Sequence, residues 1–343
     1  MGILGDGVAV VQNLVPTGLI TAASKLVEAP LGLAEVATRL VEALAINSIT
    51  EKARRGRRVI VKRRNLHSEQ LADLTNLYFH MAEIPIRFWS KVEEWQRWEV
   101  GCFEMLNGDR YRAYASGTRC VIAEKLPGES LWIHLNRGTL TRRMLQAAGA
   151  EFRRAHQFWS DYFRGCWSHG DGTTQNVLYD PKTDRARLID FEIVHEKSLA
   201  TAARQADDLL VFLLDMVGIV PSRQWLPFSM TFLEAYSDVK VIAQLRKQLD
   251  LPGGLAWIWW GVRTNFTNHG KVKQRLASLS RAIAKLKFYE DAGSARARSK
   301  RRPSISCQPI SPGMPKPSSR TLAIKERAKA VSPGMPRRLP TRT

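Results

Sequence analysis

Cysteine is scarce in this 343-residue chain, and the four that occur, Cys102, Cys120, Cys166 and Cys307, fall at no paired spacing. A zinc site or a disulfide framework needs such pairs, so neither is expected, and a reducing, cytosolic setting follows. Long apolar runs are also lacking. Gly7 to Ser24 carries no charge, but Gln12, Asn13, Pro16 and Gly18 interrupt it, which argues against a true membrane span. No basic region precedes that run, so it does not read as a usual secretory signal. Acidic residues are nearly missing from Ala292 to Thr343, where thirteen Lys or Arg stand against Glu326 alone. That net +12 leaves only +8 of the chain's +20 for the rest. The same stretch is rich in Ser and Pro and repeats Ser-Pro-Gly-Met-Pro at Ser311 and Ser332. It cannot bury enough apolar area to offset its chain entropy and is expected to be disordered. Its charge would attract any polyanion nonspecifically, whether nucleic acid or the anionic lipid of a cytoplasmic membrane surface. No motif for specific nucleic-acid binding accompanies it.

What is present is concentrated between His169 and Glu192. His169-Gly-Asp171-Gly-Thr-Thr-Gln-Asn176 leads into a short apolar run, Val177 to Tyr179, and a second run spans Ala186 to Ile189. Between them lies Asp180-Pro-Lys-Thr-Asp184, whose Pro presets φ and whose Asp bonds its own backbone, both turn-forming properties. The segment therefore reads as a β-hairpin centred near Thr183, with Asn176 and Asp190 facing each other at its open end. Asp171 enters on the preceding loop. An aspartate, an asparagine and a second aspartate at one hairpin end outline a magnesium-phosphate site.

An Asp, four residues, an Asn, a hairpin and then Asp-Phe-Glu resembles the catalytic loop and metal-binding segment of the protein-kinase-like superfamily. The His-Gly-Asp opening and the Asp-Phe-Glu ending look like its aminoglycoside-phosphotransferase and lipopolysaccharide (Kdo/heptose) kinase branches. The resemblance implies ATP and Mg2+ as cofactors. It also implies that Asp171 orients and deprotonates an acceptor hydroxyl, and that Asn176 and Asp190 hold the metal.

The same resemblance implies an upstream strand bearing a lysine and a helix bearing its glutamate partner. Arg58-Val-Ile-Val-Lys62-Arg is a β-branched run in which Ile60 and Lys62 share one face, so Ile60 would meet adenine and Lys62 the α- and β-phosphates. A surface strand in a basic stretch is the plain alternative. A helix is expected over Lys91 to Leu106, where Glu94, Glu99 and Glu104 are candidates and Glu99 fits best, two turns before Asn107-Gly108. Cys120 to Leu131 resembles the linker that binds adenine, with Glu124 and Leu126 offering main-chain groups. One feature of the family is missing. Ser48 to Arg58 contains only Gly56 where a glycine-rich loop belongs.

Further along, Thr141 to Ser160 reads as a helix with Leu145, Ala148, Phe152, Ala155 and Trp159 as its stripe. Asp207 and Asp208 head an apolar helix; Asp208 resembles the residue that braces the catalytic loop, and Asp207 is a candidate cap. A basic helix is expected over Lys271 to Phe288. Two amphipathic helices are expected within residues 1–44, packed on the domain or lying on a bilayer.

The fold expected is α+β and two-lobed, protein-kinase-like: an N-lobe over 45–123, a mainly helical C-lobe over 124–291, and a basic tail over 292–343. The activity expected is an ATP- and Mg-dependent phosphotransferase acting on a hydroxyl of a small molecule or lipid-linked sugar, in the cytoplasm and peripheral at the membrane's inner face. The alternatives are a protein serine/threonine kinase and a nucleotide-binding pseudokinase scaffold. Ile193 to Ala206 is short and lacks Ala-Pro-Glu, which counts against the protein kinase.

Overall fold

The computed structural model describes residues 46–297 apart from Arg55, with side chains as far as residue 286. The expected N-terminal helices and nearly all of the basic tail therefore lie outside the described residues.

The first strands, β1 (Asn47–Arg54) and β2 (Arg57–Arg64), form an antiparallel hairpin in which Arg54 faces Arg57 across a turn at Gly56. In β2 the alternation is as expected. Val59 and Val61 are buried with Cys120 and Ile122, while Ile60 and Lys62 occupy the other face. Helix α1 (Ser68–Met81) follows. Apolar periodicity does not predict it, because its inward stripe is Ser68, Ala72, Thr75 and Phe79 while Leu74, Leu77 and Met81 are exposed. After β3 (Ile86–Phe88) comes α2 (Val92–Asn107), one residue away from the expected helix at each end. It buries Trp95, Glu99, Cys102, Phe103 and Leu106 on one face. Strands β4 (Ala113–Ala115) and β5 (Cys120–Glu124) complete a four-stranded sheet of order β1-β2-β5-β4, antiparallel throughout.

The remainder is mainly helical. A two-residue strand β6 (Glu129–Ser130) precedes α3 (Leu131–Asn136) and α4 (Arg142–Ala155). Helix α4 starts on the Thr141 hydroxyl, which accepts the Met144 amide at 3.3 Å. It was expected to reach Ser160 and stops at Ala155. A tertiary partner takes the carbonyl that the Ser160 amide would need: Gln205 Nε2 donates to the His156 carbonyl at 2.9 Å. The chain turns instead into a small hairpin of β7 (Trp159–Ser160) and β8 (Gly165–Cys166).

A 3-10 turn (Thr174–Asn176) leads into β9 (Val177–Asp180), which pairs with β10 (Arg185–Leu188) as the expected hairpin and with β6 on its other edge. Strand β11 (Ile193–His195) pairs antiparallel with β3. Five helices close the described chain: α5 (Thr201–Val217), α6 (Ser222–Tyr236), α7 (Val239–Lys247), α8 (Ala256–Arg263) and α9 (His269–Ala297). Asp207 is not a cap, since α5 begins at Thr201 and places it in the second turn. Helix α9 continues past the Asp291 boundary expected for the helical part.

Helix α5 is central, with almost every residue from Ala203 to Val217 buried. Phe212 stacks on Phe232 of α6 at 4.2 Å between centroids, and Phe152 of α4 meets both edge-on. Packed rings of this kind contribute about 0.5–1.5 kcal/mol per pair beyond area burial. Cys102 and Cys120 are buried free thiols. Among the described residues no helix is long and apolar enough to cross a membrane.

Candidate functional site

Helix α5 anchors the loop between β8 and β9 at two points. Asp208, fully buried, accepts the His169 amide on Oδ2 and the Gly170 amide on Oδ1, each at 2.7 Å. His156 Nε2 lies 3.0 Å from the same Oδ2. Burial alone would raise the Asp208 carboxyl, but His195 and His156 outweigh it and hold it below the usual carboxylate range. Two helical turns on, Asp215 Oδ2 accepts the Thr174 amide at 2.9 Å and also the Thr174 hydroxyl. Both ends of the loop are thus fixed by carboxylates from one helix face. Gly170, between them, has φ +91, and a Cβ there would sit 2.7 Å from the Ile193 carbonyl oxygen. Only glycine lets the loop run so close to β11.

Within this loop Asn176 Nδ2 donates to the Asp171 carbonyl at 2.9 Å and to its carboxylate Oδ2 at 3.1 Å. Asp171 is pushed up to about 7, chiefly by burial. Arg263 opposes that rise, while Asp190 and Asp215 add to it. The β9–β10 register differs from the expected one. Leu188 faces Val177, and the Ile189 amide bonds the Asn176 carbonyl at 3.0 Å, so Ile189 and not Asp190 lies opposite Asn176. Asp190 is one residue beyond the ladder and turns back at φ +67, a conformation its short polar side chain tolerates.

That turn brings Asp190 to the sheet. Lys62 Nζ is 2.7 Å from Asp190 Oδ1 and 2.5 Å from Glu99 Oε1. Glu99 Oε2 also accepts the Phe191 amide at 2.9 Å. Burial would lower Lys62, but the charges of Asp190 and Glu99 outweigh it and raise the ammonium above its usual range. Asp190 is held below the usual range: burial opposes ionisation and Lys62 overcomes it. For Glu99 burial prevails over Lys62 and the carboxyl is raised. Phe191 is fully buried against Trp167 and His169, and His169 Nε2 lies 3.0 Å from the Ile189 carbonyl. Glu192, pushed up to about 8 by burial first and Asp190 second, accepts a hydrogen bond from Asn47 Nδ2 of β1.

Lys62, Glu99, Asp171, Asn176 and Asp190 are therefore gathered at one place. Ile60 lies on the Lys62 face and pairs across the sheet with Ala123. At the end of β5 the Glu124 amide bonds the Arg112 carbonyl at 2.8 Å, so only its carbonyl remains to be offered. Leu126 is buried, with its side chain in the core of the helical part. Missed from the sequence were Asp215, His156 and Arg64. Asp215 follows Asp208 by seven residues, two helical turns, a spacing that could have been read. Arg64 shares the Lys62 face of β2 and lies buried with its guanidinium 4.8 Å from the Trp95 ring centroid.

No family model and no curated protein matches the chain. Among solved structures it is similar to the one described as the complex of Rv3197 with erythromycin from Mycobacterium tuberculosis. That likeness has a TM-score of 0.33 and 18% identity, over 79% of this chain and 86% of that one, and is too slight to carry an argument. The chain is an α+β protein in which a small antiparallel sheet and a mainly helical part meet at the cluster described above.

Proposed function

We propose that this chain is an ATP- and Mg-dependent phosphotransferase of protein-kinase-like fold that moves the γ-phosphoryl group to a hydroxyl of a small molecule or lipid-linked sugar. The observation that carries the reading is the triple contact of Lys62 with Glu99 and Asp190, and of Glu99 in turn with Phe191, beside an Asn176 bonded to Asp171. A lysine set by a helix glutamate beside an Asp-Phe segment is the arrangement that phosphoryl transfer uses to hold nucleotide phosphates. Sheet order and the two-part architecture are compatible with it.

The donor set fits magnesium. Asp190 is ionised, and Asn176 uses Nδ2 on Asp171, which leaves its Oδ1 for a hard cation. Among the described residues no cluster of three or more His, Cys, Asp or Glu makes a ready cage. Magnesium is commonly held by one or two protein carboxylates, with phosphate and water completing the shell. When bound, it would neutralise charge on the transferring group.

The chain's own residues do the rest. Lys62 would engage the α- and β-phosphates, its position set by Glu99. Asp171, about half ionised near neutral pH, would accept the proton of the acceptor hydroxyl, with Asn176 fixing its orientation. A non-protein acceptor is favoured because Ile193 to Ala206 is taken up by β11 and the start of α5, leaving a connection of residues 196–200 and no peptide-docking segment.

A nucleotide-binding scaffold without turnover is the second reading. Its support is the stretch Ser48 to Arg58, which forms strand and tight turn with Gly56 as its one glycine. The deciding experiment is transfer of label from γ-labelled ATP with magnesium into an envelope extract, with Asp171→Asn and Asp190→Ala alongside. Label in the lipid and sugar fraction, lost in both variants, supports the reading. Label in protein favours the protein kinase, and ATP binding without transfer favours the scaffold.

A further inference from the structure

The hairpin β7–β8 has no role in the site described so far, yet its tip is where the elements that place Glu99 converge. Tyr162 and Phe163 project from it onto Trp98, the residue before Glu99 on α2. Trp98 lies 5.3 Å from Tyr162, 5.7 Å from Trp89 and 6.0 Å from Phe163 between ring centroids. Tyr162 also meets Trp89 at 5.2 Å and Phe163 at 4.9 Å, both edge-on. Three cations close the cluster. Arg87 lies over Trp89 at 4.5 Å and donates to the Tyr162 hydroxyl at 3.0 Å. Lys197 Nζ is 4.2 Å from the Tyr162 centroid, and the Arg204 guanidinium is 4.1 Å from that of Phe163.

The neighbours matter as much as the distances. Arg87 belongs to β3, the strand paired with β11, and Lys197 follows β11, so one is bonded beside and the other lies on the segment that leaves Phe191 and Glu192. Trp98 belongs to α2. Successive side chains on a helix are about 100° apart, so a ring caged at position 98 sets the rotation of α2 and with it the direction of Glu99. Tyr162 touches the α2 side and the β3–β11 side together.

We propose that Tyr162 is a positioning residue: through Trp98 it fixes α2 so that the Glu99 carboxylate stays on Lys62 and on the Phe191 amide. Its consequence for nucleotide binding rests on the phosphotransferase reading; the effect on Glu99 does not.

The test uses the full chain, with Tyr162→Ala, Tyr162→Phe and Glu99→Ala alone and combined. The first readout is hydrogen exchange of the Phe191 amide, whose acceptor is Glu99. The second is the affinity for magnesium-ATP. Tyr162→Ala is expected to speed Phe191 exchange and weaken nucleotide binding by about tenfold each, while Tyr162→Phe, which keeps the ring, stays within about twofold. Added to Glu99→Ala, Tyr162→Ala is expected to change Phe191 exchange little, because the contact it protects is already gone. Should Tyr162→Ala fail to fold, Tyr162→Leu keeps the bulk without the ring and serves in its place. Unchanged Phe191 exchange in the ringless variant, or effects that add fully to those of Glu99→Ala, would overturn the proposal. A wild-type chain that shows the exchange pattern but binds no magnesium-ATP would sink the phosphotransferase reading and leave the positioning role standing.

Discussion

Glu99 and Phe191 lie 92 positions apart in the chain and share a hydrogen bond: the Phe191 amide donates to Glu99 Oε2 at 2.9 Å. The other oxygen of the same carboxylate is 2.5 Å from Lys62 Nζ. One side chain of α2 therefore ties the sheet to the segment after β10, and the site depends on it.

Removing that side chain leaves Lys62 buried with Asp190 as its remaining partner. Because Asp190 still compensates Lys62 while the Phe191 amide loses its acceptor, Glu99→Ala is expected to lower stability by about 1–3 kcal/mol. Urea unfolding measures it, and a loss below about 1 kcal/mol would show that the pair is solvated in solution.

Gly170 and Gly56 both have positive φ, +91 and +77, but a Cβ at Gly56 meets nothing within 4 Å while one at Gly170 meets the Ile193 carbonyl. Gly56→Ala is expected to cost about 1 kcal/mol from backbone strain alone. Gly170→Ala should cost more and displace the Asp171 loop, reducing turnover as well. Equal melting temperatures for the two variants would contradict the close approach.

Asp208→Asn retains the shape of the brace but leaves one oxygen where two accept amides. One of the His169 and Gly170 amides then lies buried without an acceptor, a penalty of about 1–3 kcal/mol. Thermal unfolding should report it, together with faster exchange of one loop amide. Asp207→Asn, on the neighbouring position facing Arg263 and His195, is expected to leave those loop amides protected.

The carboxyls raised in the folded chain predict the pH response. Asp171 at about 7, Asp215 at about 6 and Glu192 at about 8 all exceed the unfolded values of about 3.9–4.3. The folded state therefore binds more protons between those limits, and stability is expected to fall as pH rises from about 4 to 8. Asp190, Asp207 and Asp208 are lowered and act in the opposite sense, costing stability only as pH falls below about 4. On the phosphotransferase reading proposed above, turnover should rise through about pH 7 as Asp171 becomes a base. Urea midpoints at pH 5, 6.5 and 8 test the first statement; a midpoint that climbs over that range would refute it.

The parts of the site legible in the sequence are those made by near neighbours. The hairpin between Asn176 and Asp190 is written in Pro181, Asp180 and two short apolar runs, and β2 in its alternation around Lys62. Each rests on local backbone preference and side-chain period. The register at the hairpin's open end was not legible, because one residue of offset depends on the φ of Asp190. Helix α1 was hidden for a different reason: Leu74 and Leu77 face outward and its buried positions are mostly small or polar.

By itself, then, the sequence determined which chemical groups are available and which local elements carry them: Asp171 and Asn176 on one loop, Asp190 after one hairpin, Lys62 on a β-branched strand, Glu99 on an amphipathic helix. Periodicity and turn chemistry act over a few residues, so a single sequence displays them. Only the tertiary structure decided that Glu99, rather than Glu94 or Glu104, meets Lys62, that Asp208 and Asp215 grip the loop carrying Asp171, and that Thr141 to Ser160 breaks into helix and hairpin. Those outcomes depend on contacts between segments tens of residues apart, where packing and the pairing of buried charge override local preference.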